Sequence, residues 1–297
     1  MTNNKTIIIT GALGQDGKIL SKILINKGYK IFGIVNTNKG VKIKNVRYQK
    51  IKLYDYKKIK KFIKKINPSH IVHFGSKNPS FGDKDNFFKE NYISTKNIID
   101  SIIEVNNKII FIFPNSSFIF RRKNTNVSEK DKYKVTNSYT KFRIKISDYM
   151  EVLKIKKNLK FCNLILFNHD SAYRKSSFLI PRLVSLVKKQ DIASLKKIYK
   201  KNIIEDFSHA HDICFAIYLL IKKKICIDRL ILSSGKKTKV NKIINYLLTK
   251  YFPFKKIKVL AKKNNKYIIG KNDLAKKILN WKIKKNIFLA VDEITKN

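Results

Sequence analysis

The 297-residue chain carries 66 Lys and Arg against 20 Asp and Glu, a formal charge of +46. It has no apolar run near the ~20 residues of a membrane span, and its start reads as a strand where a secretory leader needs a hydrophobic stretch, so a soluble, cytoplasmic protein without membrane contact is expected. Dense cationic charge suggests polyanion binding, but only seven basic residues are Arg (Arg47, Arg121, Arg122, Arg143, Arg174, Arg182 and Arg229). The Lys residues are spread over nearly every segment beside an excess of Ile and Asn, which argues for compositional bias and against a specific nucleic-acid function. Cys162, Cys214 and Cys226 lie far apart and match no metal-ligand spacing, so no metal site is expected and the thiols are read as buried and reduced.

The first element is an apolar, β-branched strand, Thr6–Thr10, running into Gly11, Gly14 and Gly17 and then a helix pattern, Lys18–Asn26. Strand, glycine turn and helix in this order form a phosphate-binding unit: Gly11 permits the tight turn, Gly14 lets a diphosphate approach the main chain, and Gly17 lets the helix pack on the strand. Further strands are predicted at Lys30–Val35, Tyr48–Leu53, His70–Phe74, Lys108–Phe113 and Leu159–Phe167, and helices at Lys57–Ile66 (closed by Asn67-Pro68), Asn91–Glu104 and from Ser138 or Tyr139 to about Ile155. Residues 121–137 are polar and read as an active-site loop. His70 and His73 read as structural members of the fourth strand.

Beyond Phe167 helices dominate: Ser176–Lys189, Ala210–Lys222, Thr238–Tyr251, Lys271–Leu279 and Asn286–Thr295, with one short strand at Arg229–Leu232. Alternating strands and helices imply an α/β fold, a Rossmann-like, doubly wound parallel sheet with a small, mostly helical C-terminal substrate lobe. The expected division is a dinucleotide-binding domain over 1–167, completed by about 204–232, and a substrate-binding lobe over 168–203 and 233–297. Ligands of such sheets bind at the carboxyl ends of the strands.

The chemistry is read from the end of the fifth strand and the helix that follows. Pro114-Asn115-Ser116-Ser117 places hydroxyls at the sheet edge, and Tyr139 and Arg143, four residues apart, share one helix face. A tyrosine is a poor base at neutral pH unless a cation stabilises its phenolate. Serine, tyrosine and an adjacent cation together make a hydride-transfer site for a carbinol or carbonyl. The second strand ends Val35-Asn36-Thr37 with no acidic residue to hold a ribose 2′-hydroxyl, which favours NADP over NAD.

Thr10-Gly-Ala-Leu-Gly-Gln-Asp-Gly17, Gly28-Tyr29 followed by Phe32-Gly33-Ile34-Val35, and the Ser116/Tyr139 pair resemble extended short-chain dehydrogenases/reductases that act on nucleotide sugars. Within them the chain is most similar to the GDP-mannose 4,6-dehydratase family, through Leu166-Phe-Asn168-His169-Asp170-Ser171, Asp206-Phe-Ser-His209-Ala-His-Asp212 and Ala275-Lys-Lys-Ile-Leu-Asn-Trp281. The resemblance covers nearly the whole chain. It implies hydride removal from sugar C4, loss of water across C5 and C6, and return of hydride to C6, with Ser116 bonding the C4 oxygen, Tyr139 as base and Arg143 in place of the family Lys. It further implies cofactor contacts from Gln15, Asp16, Asn36, Lys39, Leu53, Phe74 and Gly75 besides the three glycines, Tyr139 and Arg143. Ser117, Asn168, Phe178, Leu179 and Arg182 are implied around a nucleotide-diphosphate sugar, GDP-linked by resemblance, in a homodimer or higher oligomer. His169 and His209 fall in motif positions and are read as orienting loops.

Departures from the family pattern shape the expectation. Phe118 stands where the dehydratases carry the elimination Glu, and Glu129 and Asp131 are the nearest carboxylates on the following loop. Arg143 keeps the charge but not the shape of Lys, while Lys141 and Lys145 lie on other helix faces. Lys52 replaces an Asp near the adenine, Asn36 replaces an Arg that Lys39 would supplant, Glu205 replaces an Arg before Asp206, and Ala261–Lys263 lack a diphosphate-binding Arg. Three function classes stay open: a nucleotide-sugar oxidoreductase or lyase, in which a 4-keto-sugar reductase or epimerase is nearly as plausible as a dehydratase; a catalytically silent relative that binds dinucleotide; and a polyanion-binding protein, supported only by charge.

Overall fold

Twelve strands and ten α-helices make up the described part of the chain, which in this computed structural model comprises residues 4–37, 39–77, 87–121, 124–251, 257 and 266–297. The strands are β1 (Thr6–Thr10), β2 (Lys30–Val35), β3 (Val46–Lys50), β4 (His70–His73), β5 (Ile110–Ser116), β6 (Thr125–Val127), β7 (Phe161–Leu166), β8 (Asn168–Asp170), β9 (Ile204–His209), β10 (Ile227–Leu232), β11 (Lys237–Lys239) and β12 (Ile268–Gly270). The helices are α1 (Gln15–Ile25), α2 (Tyr56–Ile66), α3 (Phe87–Val105), α4 (Ser138–Lys157), α5 (Leu179–Lys188), α6 (Ile192–Lys200), α7 (Ala210–Lys223), α8 (Val240–Tyr251), α9 (Asp273–Leu279) and α10 (Ile287–Lys296).

The main sheet has the order β10-β7-β5-β4-β1-β2-β3, with β3, β2, β1, β4, β5 and β7 parallel. Its chain order reverses beside β1, the switch point at which such sheets bind ligands. Both faces of β1 are covered, since Ile7, Ile8 and Ile9 are fully buried and successive side chains of a strand point to opposite faces. Ile8, Ile71, Phe111 and Phe113 share a core with Ile59 and Ile63 of α2, Ile98 and Ile102 of α3, and Phe142, Ile146 and Met150 of α4.

The helix ends follow from sequence chemistry. Asp55 caps α2 by accepting from Lys58 N, and Asn137 and Thr140 form a reciprocal capping box at α4. Asn67, Asn158 and Asn280 close α2, α4 and α9 in the left-handed region, at φ of 42°, 53° and 51°. Asn thus takes the stop position that Gly fills in most proteins.

By compactness the chain divides into two units, Met1–Ile119 with Tyr133–Leu166 and Cys214–Leu230, and Phe120–Lys132 with Phe167–Ile213 and Ile231–Asn297. The second unit holds a three-stranded sheet, β11-β9-β8, a two-stranded sheet, β12-β6, and a core in which α5, α8 and α10 meet around Val184, Phe207, Ile244 and Val291. It is richer in strands than the sequence pattern suggests: β6 lies in the stretch read as loop, and β8, β9, β11, β12 and α6 are additions. Asp206, the buried centre of β9, accepts from Ser234 N and Oγ, Gly235 N and Gly270 N. That exchange is what lets a polar Ile-Glu-Asp-Phe-Ser-His segment run as a strand.

His70 and His73 are buried in β4, as their structural reading expects. His73 lies between two hydroxyls, Nδ1 at 2.7 Å from Thr10 Oγ1 and Nε2 at 3.0 Å from Thr95 Oγ1. Burial pushes His70 down to about 4 and His73 to about 3, with Lys224 and Arg143 adding repulsion to the respective charged forms. The unfolded state then binds more protons than the folded one below about pH 6.5, so stability is complete above that value and falls as pH drops toward 4. The urea midpoint should therefore decrease between pH 7 and 5, and His73→Gln should lower stability at pH 8 while flattening this dependence.

Candidate active site

The glycine turn is built on close backbone approaches. Gly11 sits at φ +66°, and a Cβ there would lie 2.7 Å from the Phe74 carbonyl carbon. A Cβ on Gly17 would meet Gly11 O at 2.6 Å and Ala12 Cα at 2.7 Å, so α1 packs against the turn at a distance that only glycine permits. Gly14 serves as the N-cap of α1 and brings no capping side chain. The N-terminal end of α1, where unpaired amides and the helix dipole favour an anion, therefore opens on a bare turn. Gln15 Nε2 donates to Asp16 Oδ1, and Asp16 lies in the first helical turn.

At the neighbouring strand end, Gly75 N donates to Thr10 Oγ1, the hydroxyl that also meets His73. A Cβ on Gly75 would meet Leu53 Cδ1 and Thr10 Oγ1, both at 2.8 Å. Gly75, Leu53, Phe74 and the glycine turn are thus gathered around the end of β1. Asn36 and Lys39 are exposed just past β2, where Lys39 N donates to Thr37 Oγ1. The Thr10–His73–Thr95 chain was not singled out from sequence. Its signal is a histidine and a threonine at matching ends of adjacent strands, paired Thr10 with His73 in register.

Ser116, Tyr139 and Arg143 are carried by two elements that are bonded together. β5 extends to Ser116, three residues past its expected end at Phe113, so the serine sits at the last position of a strand. Ser116 Oγ accepts from Phe118 N at 3.3 Å, and Ser117 is buried at the start of a short 3-10 turn. Tyr139 and Arg143 occupy the first turns of α4, both less than a tenth exposed. The guanidinium of Arg143 donates to Pro114 O of β5 and stands 5.0 Å from the Tyr139 ring centroid, 5.1 Å from Phe113 and 5.2 Å from Phe142. The shared-face expectation for Tyr139 and Arg143 holds, and the charge lies against the ring of the tyrosine.

Beneath this pair is a buried polar knot. Ser147 Oγ of α4 accepts from Asn115 Nδ2 and Asn163 Nδ2 and donates to Arg143 O, while Asn115 Nδ2 also reaches Asn163 Oδ1. Asn115 Oδ1 in turn accepts from Ser116 N. The knot fixes α4 on β5 and β7, and so fixes Tyr139 relative to Ser116. The Asn and Ser residues at these apolar positions are its signal in the sequence.

Several carboxylates and cations have local partners. Phe118 is 43% exposed. Glu129 Oε1 accepts from Ile231 N, and Asp131 Oδ2 accepts from Ser128 N and Oγ, so both loop carboxylates are engaged. Lys141 and Lys145 lie 5.5 and 5.8 Å from the Phe88 ring, away from the Tyr139 face. Lys52 is exposed and stands over Tyr54. Cys162 and Cys214 are buried, but Cys226 is exposed, which corrects the expectation for that thiol: it falls in the turn between α7 and β10. Ala261–Lys263 lie outside the described residues.

In the second unit, Asn168 opens β8 and its Nδ2 donates to Glu205 Oε2 at 3.2 Å. Phe178 is the N-cap of α5, Leu179 its first residue, and Arg182 is exposed one turn later. Arg174, not anticipated from sequence, pairs with buried Asp170 at 2.9 Å and stacks 3.6 Å over the Phe178 ring. The pair spans the end of β8 and the turn that follows, so no helical spacing marks it in the sequence. His169, in β8, is buried with Nδ1 at 2.6 Å from Phe167 O, and His209, in β9, accepts from His211 N at Nδ1 and stands 3.2 Å from Glu293 Oε1 through Nε2.

A family model described as GDP-mannose 4,6 dehydratase matches residues 8–294. GDP-mannose 4,6 dehydratase of Dictyostelium discoideum is 23% identical over 346 residues, covering 98% of this chain and 94% of that protein. Among solved structures, UDP-glucose 4-epimerase of Thermotoga maritima with UDP-glucose superposes with a TM-score of 0.83 at 16% identity, over 98% of this chain and 97% of the other. UDP-glucose 4-epimerase of Brucella ovis in complex with NAD superposes at 0.84 with 15% identity, again over 98% and 97%. At such identities the structural likeness establishes the fold alone, a Rossmann-like α/β sheet.

Two substitutions test this geometry. Gly17→Ala forces a methyl into backbone and should lower stability by about 1–3 kcal/mol and weaken dinucleotide binding at least tenfold, read by calorimetry. Ser147→Ala leaves the Asn115 and Asn163 amides short of an acceptor and should cost about 1–3 kcal/mol in urea unfolding.

Proposed function

The chain belongs to the GDP-mannose 4,6-dehydratase family, and on that premise we propose that it carries out dinucleotide-dependent hydride chemistry at C4 of a nucleotide-diphosphate sugar. The observation that supports this reading best is the bonded β5–α4 pair, which holds Ser116 at a strand end and Tyr139 on the helix that Arg143 ties to Pro114. The residues of the first unit fit a dinucleotide: Gly11, Gly17 and Gly75 leave no room for a Cβ, and the bare turn exposes a helix N-terminus to a diphosphate. NADP is favoured, because β2 runs into Asn36-Thr37 with no acidic residue to take a ribose 2′-hydroxyl and Lys39 stands nearby. A bound nicotinamide dinucleotide would supply the hydride acceptor and donor.

Within this reading Ser116 donates to the C4 oxygen, and Tyr139 takes the proton from the C4 hydroxyl on oxidation and returns it on reduction. The guanidinium of Arg143 lies beside the Tyr139 ring, 5.0 Å from its centroid. Because that guanidinium is bonded to Pro114 O, Arg143 also serves as a positioning residue between α4 and β5. Asn168, Phe178, Leu179 and Arg182 are the proposed nucleotide-sugar contacts, with a GDP-linked sugar favoured by family membership. The Asn168 amide is engaged by Glu205, so a diphosphate reaching it would have to displace a carboxylate.

A second reading is favoured by Phe118. With an aromatic ring in the elimination position and Glu129 and Asp131 both engaged, hydride transfer without water loss, in a 4-keto-sugar reductase or epimerase, suits these residues better than dehydration. Incubation with NADP and GDP-mannose, then with the 4-keto-6-deoxy sugar and NADPH, followed by mass, separates the readings. Loss of the mass of one water in the first mixture supports dehydration. NADPH consumption in the second supports reduction, a new epimer of equal mass resolved by chromatography supports epimerisation, and dinucleotide binding with none of these supports a silent relative.

Tyr139→Phe should reduce turnover by about 10²–10⁴ with dinucleotide affinity little changed. Glu205→Arg should tighten nucleotide-sugar binding, read as a lower Kd in calorimetry, by freeing the Asn168 amide and replacing a repelling carboxylate with a cation.

A further inference from the structure

The second unit contains a cleft of about 380 Å³ between β11, the start of α8 and the segment leading into α10. It is lined by Lys236, Lys237, Lys242, Lys284 and Lys285, and none of its twelve lining residues is acidic. None belongs to the proposed substrate set of Asn168, Phe178, Leu179 and Arg182. The carboxylates nearby in sequence are engaged with backbone: Asp206 accepts from Ser234, Gly235 and Gly270, and Asp212 accepts the amides of Lys284 and Lys285 themselves. Lys237 Nζ donates to Tyr267 Oη, and Lys285 reaches Glu293 only at 3.9 Å. The ammonium groups of Lys236, Lys242 and Lys284 have no ion-pair partner among the described residues. Elsewhere in the same unit basic side chains meet acids at short range, as Lys250 meets Asp292 at 2.7 Å and Arg174 meets Asp170 at 2.9 Å.

Five cations gathered around one concavity repel one another, and the concavity concentrates their field, so a multivalent anion is the ligand that relieves the repulsion. The size falls in the ~300–1,000 Å³ range of small-molecule sites. One wall is apolar, from Phe207, Ile283 and Phe288, while Ser234, Thr238 and Asn286 supply polar groups. We propose that this cleft is a second anion site, distinct from the glycine turn, which takes a phosphate-bearing molecule of mononucleotide size or smaller. It stands independently of the hydride-transfer reading.

The test is calorimetric titration of the full chain at 0.15 M salt (Debye length about 8 Å) with inorganic pyrophosphate and with ADP, in the presence of excess NADP. The triple variant Lys236→Gln/Lys242→Gln/Lys284→Gln should bind at least tenfold more weakly, while the corresponding Lys→Arg triple keeps binding and shows that the fold is intact. A control triple on α2, Lys57→Gln/Lys61→Gln/Lys64→Gln, should bind as the parent does. Tighter binding of ADP than of pyrophosphate identifies a nucleotide; the reverse identifies an inorganic polyphosphate. The proposal is overturned if the parent binds neither probe, if the α2 control loses as much affinity as the cleft triple, or if the cleft triple retains the parent's binding.

Discussion

Everything in the first unit depends on how closely β1, α1 and the end of β4 approach one another. Gly11 and Gly17 let the turn fold over itself with backbone atoms where a Cβ would be, and Gly75 does the same beside Thr10. The Thr10 hydroxyl then serves two partners at once, the Gly75 amide and His73, and His73 carries the link to Thr95 on α3. Steric permission and hydrogen bonding act together: the glycines allow the approach, and the buried histidine between two threonines fixes its distance. A dinucleotide-binding turn is thereby set on the rigid centre of a sheet, where a binding site gains most from preorganisation.

The site on β5 and α4 uses a different solution. Its fixed points are amide and hydroxyl groups in an otherwise apolar interior, satisfied by one another through Ser147. Such a network specifies one arrangement of helix on strand, because any shift leaves buried polar groups unpaired. Arg143 adds a charged contact to the same interface and brings its positive charge to Tyr139. Arg's fork can bond a carbonyl and lie against rings at the same time, a combination that a Lys ammonium at this position does not offer.

The parallel sheet was legible in the sequence because its strands are continuous apolar runs, such as Ile7–Ile9 and Ile109–Phe113, separated by helices with clear ends. Asn67-Pro68 marks the stop of α2 without the structure. The second unit was less legible. β8, β11 and β12 are three residues long, too short for any periodicity, and β9 carries Glu205, Asp206 and Ser208 where strand patterns want apolar residues. Asp206 is tolerated there only because donors distant in sequence, at Ser234 and Gly270, converge on it. Of the candidate site, the glycine turn and the Tyr139/Arg143 face follow from spacing alone. The engagement of Glu129 by Ile231 and of Asn168 by Glu205 depends on long-range contacts that no local pattern encodes.

The asparagines that close α2, α4 and α9 also bear on the chemical durability of the chain. An asparagine ages by attack of the next residue's backbone nitrogen on its own side-chain carbonyl, a ring closure that is fastest when glycine follows. Here the followers are Pro68, Leu159 and Trp281. Proline has no amide hydrogen to lose, and a leucine or tryptophan side chain crowds the approach. A sequence rich in asparagine thus uses that residue where left-handed backbone is needed, while the residue that follows shields each of these three helix ends from deamidation.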